Sequence, residues 1–126
     1  MSSDQFTLSG GYVCEPLSAP ASLAASITAA IDEPMVLKAK HYDTIKLSVD
    51  SAVVVNFGGV TNAHIVILKA TGKVKLRVTS TDGATQALPF DTYLILMSQT
   101  VPITAIDLTR VAATDTDVMV FLGEKA

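Results

Sequence analysis

A chain of 126 residues and 13.2 kDa has room for one core and not for two, and with 49% hydrophobic residues and a mean hydropathy of +0.44 it holds too much apolar surface to stay disordered. The net charge of −3 and the lack of Trp speak against nucleic-acid binding, and the single Cys14 excludes both an internal disulfide and a cysteine-rich metal module. No stretch reaches the ~20 mostly apolar residues of a bilayer span, and residues 1–9 lack a basic region and an apolar region, so neither a membrane segment nor a secretory signal is expected.

Residues 1–19 read as an extended N-terminal arm, with Gly10-Gly11 and Pro16 giving it reach, ahead of one domain over residues 20–126. Ordering such an arm costs ~1–2 kcal/mol of backbone entropy per residue, so it needs a surface to bury against. Phe6, Leu8, Tyr12, Val13 and Leu17 are the side chains available for that, and they are candidate contacts to a neighbouring copy. Residues 21–31 fit two patterns. Ser22 could cap a short helix with Leu23 and Ile27 at i, i+4, while Leu23, Ala25, Ile27, Ala29 and Ile31 would line one face of a strand. The nine-residue run on one face favours the strand.

The remaining elements are predicted as strands, in keeping with fourteen Thr, fourteen Val and eight Ile against three Glu and two Arg. In 45–50, Ile45, Leu47 and Val49 alternate with Lys46, Ser48 and Asp50. Residues 65–68 and 73–79 flank Thr71-Gly72 and predict a hairpin, in which Val74, Leu76 and Val78 point inward and Lys73, Lys75 and Arg77 outward. A turn follows at 80–84, where Gly83 supplies a positive φ. Residues 92–98 and 103–108 are strands separated by a turn at Pro102, and the apolar run 118–122 suits a strand covered on both faces. Eight or nine short strands with regular turns predict an all-β fold, a single β-sandwich of jelly-roll type.

Charge is segregated along the chain. Residues 38–77 carry seven cations against Asp43 and Asp50, while both flanks are acidic. Lys73, Lys75 and Arg77 stand ~6.5–7 Å apart on one strand face and form a positive stripe, expected to meet acidic groups of a neighbouring copy or of the shell and not a nucleic acid, since no aromatic residue interleaves with them. Catalytic chemistry finds few residues. His41 and Asp43, two apart, can share a strand face, but no nucleophile accompanies them, and His64 has no ligand at metal spacing. Asp115-Thr116-Asp117 lacks the glycine and distal Glu of a calcium loop, and Asn56-Phe57-Gly58-Gly59 lacks phosphate-loop spacing, so both read as turns. No enzyme activity, cofactor or metal is expected.

The segment 54–63, the run 71–83, Pro102 to Ile106 and the terminal Val120-Phe121-Leu122-Gly123-Glu124 resemble small virion proteins of tailed bacteriophages, over roughly the last 75 residues. The resemblance implies a non-enzymatic structural protein present in many copies on the virion, the head decoration (cement) type being the commonest, often a homotrimer bound to the major capsid protein and assembled in the host bacterial cytoplasm. A tail, adaptor or fibre-anchoring component would equally use the arm. A soluble ligand-binding β-sandwich module is the other class, and it would need an aromatic platform.

Overall fold

The structure, a computed structural model, describes residues 4–14, 27–83 and 85–126. Seven strands and no helix appear among them: β1 (Asp4–Cys14), β2 (Ile27–Leu47), β3 (Val53–Val54), β4 (Ile65–Ser80), β5 (Thr85–Met97), β6 (Ile103–Arg110) and β7 (Thr116–Lys125). The all-β composition is thus realised. All seven belong to one antiparallel curled sheet, a half-barrel, with the order β1-β2-β7-β4-β6-β3 and β5 on the other edge of β4. Two stacked sheets, as a jelly-roll sandwich requires, are not what this hydrogen bonding draws.

The reason lies in β4, and it corrects the expected hairpin. Thr71-Gly72 does not turn the chain back; β4 runs through it for 16 residues. Its first half, Ile65 to Ala70, pairs with β7, and its second half, Val74 to Ser80, pairs with β6. At the changeover three residues of β4 stand opposite one of β5, between the pairs Ala70–Thr92 and Val74–Phe90. A bulge of this kind bends a strand and sharpens its twist, so one strand serves both halves of the curl. Gly72 lies in this bulge beside Thr116, whose Oγ1 is 3.4 Å from where a Cβ would stand, an ordinary contact distance. The actual hairpin turn is the one at Gly83, with φ of +85° and its amide donating to the Ser80 carbonyl at 3.0 Å. β5 also begins earlier than the apolar pattern suggests, because Pro89 is tolerated on an edge strand.

Alternation places the core on the inner face. Val66, Leu68, Val74 and Leu76 of β4, Ile106 and Leu108 of β6, Val118, Val120 and Leu122 of β7 and Leu47 of β2 are buried there together. Val78 packs against this cluster, whereas Val49 lies past the end of β2 and is half exposed. A second, smaller cluster sits on the outer face: Met35, Leu37 and Ile65, with Phe6, Ile67, Met97 and Phe121 against it. β2 reaches both faces through a bulge between Leu37 and Ala39. In a regular strand Met35, Leu37, Ile45 and Leu47 would share one side; the extra residue lets the first two face outward.

Residues 27–35 of β2 pair only with β1, in a two-stranded ribbon running past the end of β7, where the Ala126 amide donates to the Val36 carbonyl at 2.8 Å. The expected arm is therefore in part a strand of the chain's own sheet. Residues 27–31 are extended, as the strand alternative had it; 21–26 lie outside the described residues, as does Leu17.

Candidate functional site

Cross-strand register assembles a surface on the outer face that no single segment contains. Tyr42 stands opposite Phe121, Phe121 opposite Ile67, and Ile67 opposite Ile95, so β2, β7, β4 and β5 contribute one continuous row. The next row runs Thr44, Met119, Lys69, Tyr93. Adjacent strands lie ~4.7–4.9 Å apart, which brings these side chains into one patch. It is open to solvent at Tyr42 (60% exposed), Tyr93 (56%), Ile95 (46%) and Met119 (38%). A hollow of about 210 Å³ lies between Tyr42 and Tyr93, floored by Ile67 and Phe121. Lys69 Nζ sits 5.5 Å from the Tyr93 ring centroid, in reach of a cation–π contact.

At one end this face is closed by its own chain. Phe6 stacks on Phe121 with centroids 5.7 Å apart and planes at 22°, and Lys40 Nζ meets Asp4 Oδ2 at 2.7 Å. The small outer core beneath them buries Ile65 completely. β7 thus departs from the expectation of a strand covered on both faces. Val118, Val120 and Leu122 are fully buried inside, while outside Phe121 is only partly covered and Met119 is open.

The candidate residues distribute as follows. Lys73, Lys75 and Arg77 are exposed on the outer face, as the alternation of β4 requires, and they continue the line of Lys69. Tyr93 lies opposite Lys69 alone, while Lys75 and Arg77 face Pro89 and Ala87 on β5. Phe6 packs within its own chain and Leu8 is half-buried; the side chains of Tyr12 and Val13 lie outside what is described. Tyr42, Tyr93 and Phe121 went unselected by sequence because they are about 30 to 50 residues apart and meet only through pairing. Alternation carried back from Lys46 through Thr44 puts Tyr42 on the same outward side of β2, which is the one local signal for it.

Several of the titratable groups have structural partners. His41 and Asp43 do share the inner face, with Nε2 and Oδ2 4.0 Å apart, but Gly58 roofs the imidazole so closely that a Cβ there would overlap the ring. Nε2 of His41 is buried without a hydrogen bond. His64 Nδ1 accepts the Lys125 amide at 3.0 Å. The loop over His41 is tied down at its far end by Glu124, whose buried Oε1 accepts the Thr61 amide at 3.0 Å while Oε2 lies 3.6 Å from Lys38. Asn56 Oδ1 accepts the Gly58 amide at 2.9 Å, an Asx turn, and Asp115 takes a 2.6 Å bond from Arg110. Among the described residues, no three His, Cys, Asp or Glu lie together as metal ligands would.

Comparison with known proteins finds no matching family model, no matching curated protein and no matching solved structure.

Proposed function

We propose that this chain is a non-enzymatic structural protein of a tailed-bacteriophage virion, of the head decoration (cement) type, which acts by protein–protein contact with copies of itself and with the major capsid protein. The observation that carries the reading is the uncovered outer face. A mid-sheet apolar row of Tyr42, Phe121, Ile67 and Ile95, bordered by Met119 and Tyr93, is what a protein interface presents. The resemblance of residues 54–63, 71–83, 102–106 and 120–124 to small virion proteins supplies the setting, and with it the expectation of a trimer.

The test is to purify the source particle and ask whether the chain is part of it. Peptides of the chain should be found in stoichiometric amount, and added chain should raise the temperature at which heads lacking it release their genome. Absence from purified particles would overturn the reading, and antibody labelling at the tail would move it to a tail, adaptor or fibre-anchoring component. A second reading has one observation in its favour. The hollow between Tyr42 and Tyr93 is an aromatic platform of the kind a soluble ligand-binding module uses. Saturable binding of a small glycan or aromatic ligand, lost in Tyr42→Ala and Tyr93→Ala, would favour it.

A further inference from the structure

The outer face is basic as well as apolar. Lys46, Lys69, Lys73, Lys75 and Arg77 all project from it, and none has a carboxylate within salt-bridge distance among the described residues. Across the sheet, on β6 and at the β3 edge, the chain shows the opposite character. β3 is the outermost strand, with Val54 72% exposed, and the bend before it exposes Val49 at 50%. Asp50 and Asp115, with side chains 75% and 57% exposed, converge on the single guanidinium of Arg110, at 3.0 and 2.6 Å. Two carboxylates on one cation leave a net negative charge.

From this segregation we infer that the outer face of one copy docks on the β3 edge of the next, in a head-to-tail contact. The inference deepens the assembly role proposed above and rests on it. Face against face, in a two-fold dimer, would set lysine rows on lysine rows, which costs association energy. Face against edge sets Lys69, Lys73 and Lys75 near Asp50 and Asp115, and it gives Tyr42 and Ile95 the apolar Val49 and Val54 to cover. A contact between two different patches is heterologous, so copies close into a ring, of which a trimer is one case, or extend into a filament. Nucleic acid fits the face less well. Asp117 and Asp107 stand in register with Lys46 and Arg77 on the same face, where they repel phosphates.

Native mass measurement and sedimentation of the full chain test this with two variants. The face variant is Lys69→Glu with Lys75→Glu; the edge variant is Asp50→Asn with Val54→Lys. All four positions are exposed, so both variants keep the wild-type circular dichroism. Wild type should be oligomeric at low salt and weaker at ~0.5 M salt, where screening shortens to a few Å. Each variant alone should lose at least about 10-fold in association constant, roughly 1.4 kcal/mol. Mixing the two should recover association between unlike copies, as mixed pairs, even-numbered rings or filaments, because the reversed face meets the reversed edge while their two native surfaces pair with each other; an odd ring such as a trimer keeps one unmatched contact.

A wild-type monomer at all concentrations, an unchanged mass in either variant, or no recovery on mixing would overturn the contact. So would binding of a thymidine oligonucleotide by wild type at ~0.15 M salt that the face variant loses, which would make the face a nucleic-acid surface. A face variant that assembles normally yet still loads onto heads sinks this contact and spares the decoration role. Absence of the chain from particles, with the swapped variants still complementary, does the reverse.

Discussion

Gly58 and His41 illustrate how much a single backbone position decides. Gly58 holds φ at +59°, and its α-carbon rests on the imidazole, so an added methyl meets both a backbone penalty of ~1–2 kcal/mol and the ring itself. Gly58→Ala should lower the urea midpoint clearly, and combining it with His41→Ala should recover the steric part but not the backbone part, leaving a measurable coupling in a double-mutant cycle. Full additivity of the two changes would show that the ring is not what the methyl strikes. Glu124 anchors the other end of the same loop. Removing its carboxylate in Glu124→Ala leaves the Thr61 amide without an acceptor and should cost about 1–3 kcal/mol in urea unfolding, whereas Lys38→Ala, losing only a 3.6 Å ion pair whose cation is 55% exposed, should cost less than about 1 kcal/mol. Equal losses in the two variants would assign the stability to the ion pair instead. Alternation correctly puts His41 and Asp43 on one face of a strand; the loop that roofs them arrives from 17 residues further on at Gly58, and nothing in the local pattern announces it.

At the level of elements, the misread segment is the informative one. Thr71-Gly72 between two alternating apolar runs satisfies the signature of a two-residue hairpin loop and equally that of a bulge, since both want a small residue between pleated segments. What separates them is which partners lie alongside, and here β7 and β6 come from the last quarter of the chain, at 116–125 and 103–110. Gly83, by contrast, was legible because its turn closes on Ser80 with no distant help. The bulge leaves a signature on β5 as well. Thr92 faces it with φ of +66°, a region that a β-branched residue rarely occupies. Thr92→Gly should therefore raise stability, by about 0.5–1 kcal/mol once the entropy of the added glycine is deducted, visible as a higher thermal midpoint. A fall in the midpoint would mean that the Thr92 side chain contributes more than its backbone costs.

For the molecule as a whole, the strand content and most inward faces could be read from alternation, as at Val74, Leu76 and Leu47, while the outer face could not, because Tyr42, Tyr93 and Phe121 become neighbours only through long-range register. Substituting the exposed pair, Tyr42→Ser with Tyr93→Ser, should leave the unfolding midpoint within about 0.5 kcal/mol of wild type yet weaken self-association, since neither ring lies in a core. A large loss of stability would place those rings in the fold and not at its interface. The placement of β7 has a consequence for how the chain is made. The last strand in sequence sits between β2 and β4, joining the β1-β2 ribbon to the rest. Until the ribosome delivers residues 116–125, the nascent chain holds two unconnected pieces of sheet, each with a hydrogen-bonding edge that only β7 satisfies. Those edges are open to capture by a neighbouring nascent chain or a chaperone, so stalling translation before residue 116 should yield chaperone-bound or aggregated product, and supplying the missing strand as a separate peptide should recover soluble protein.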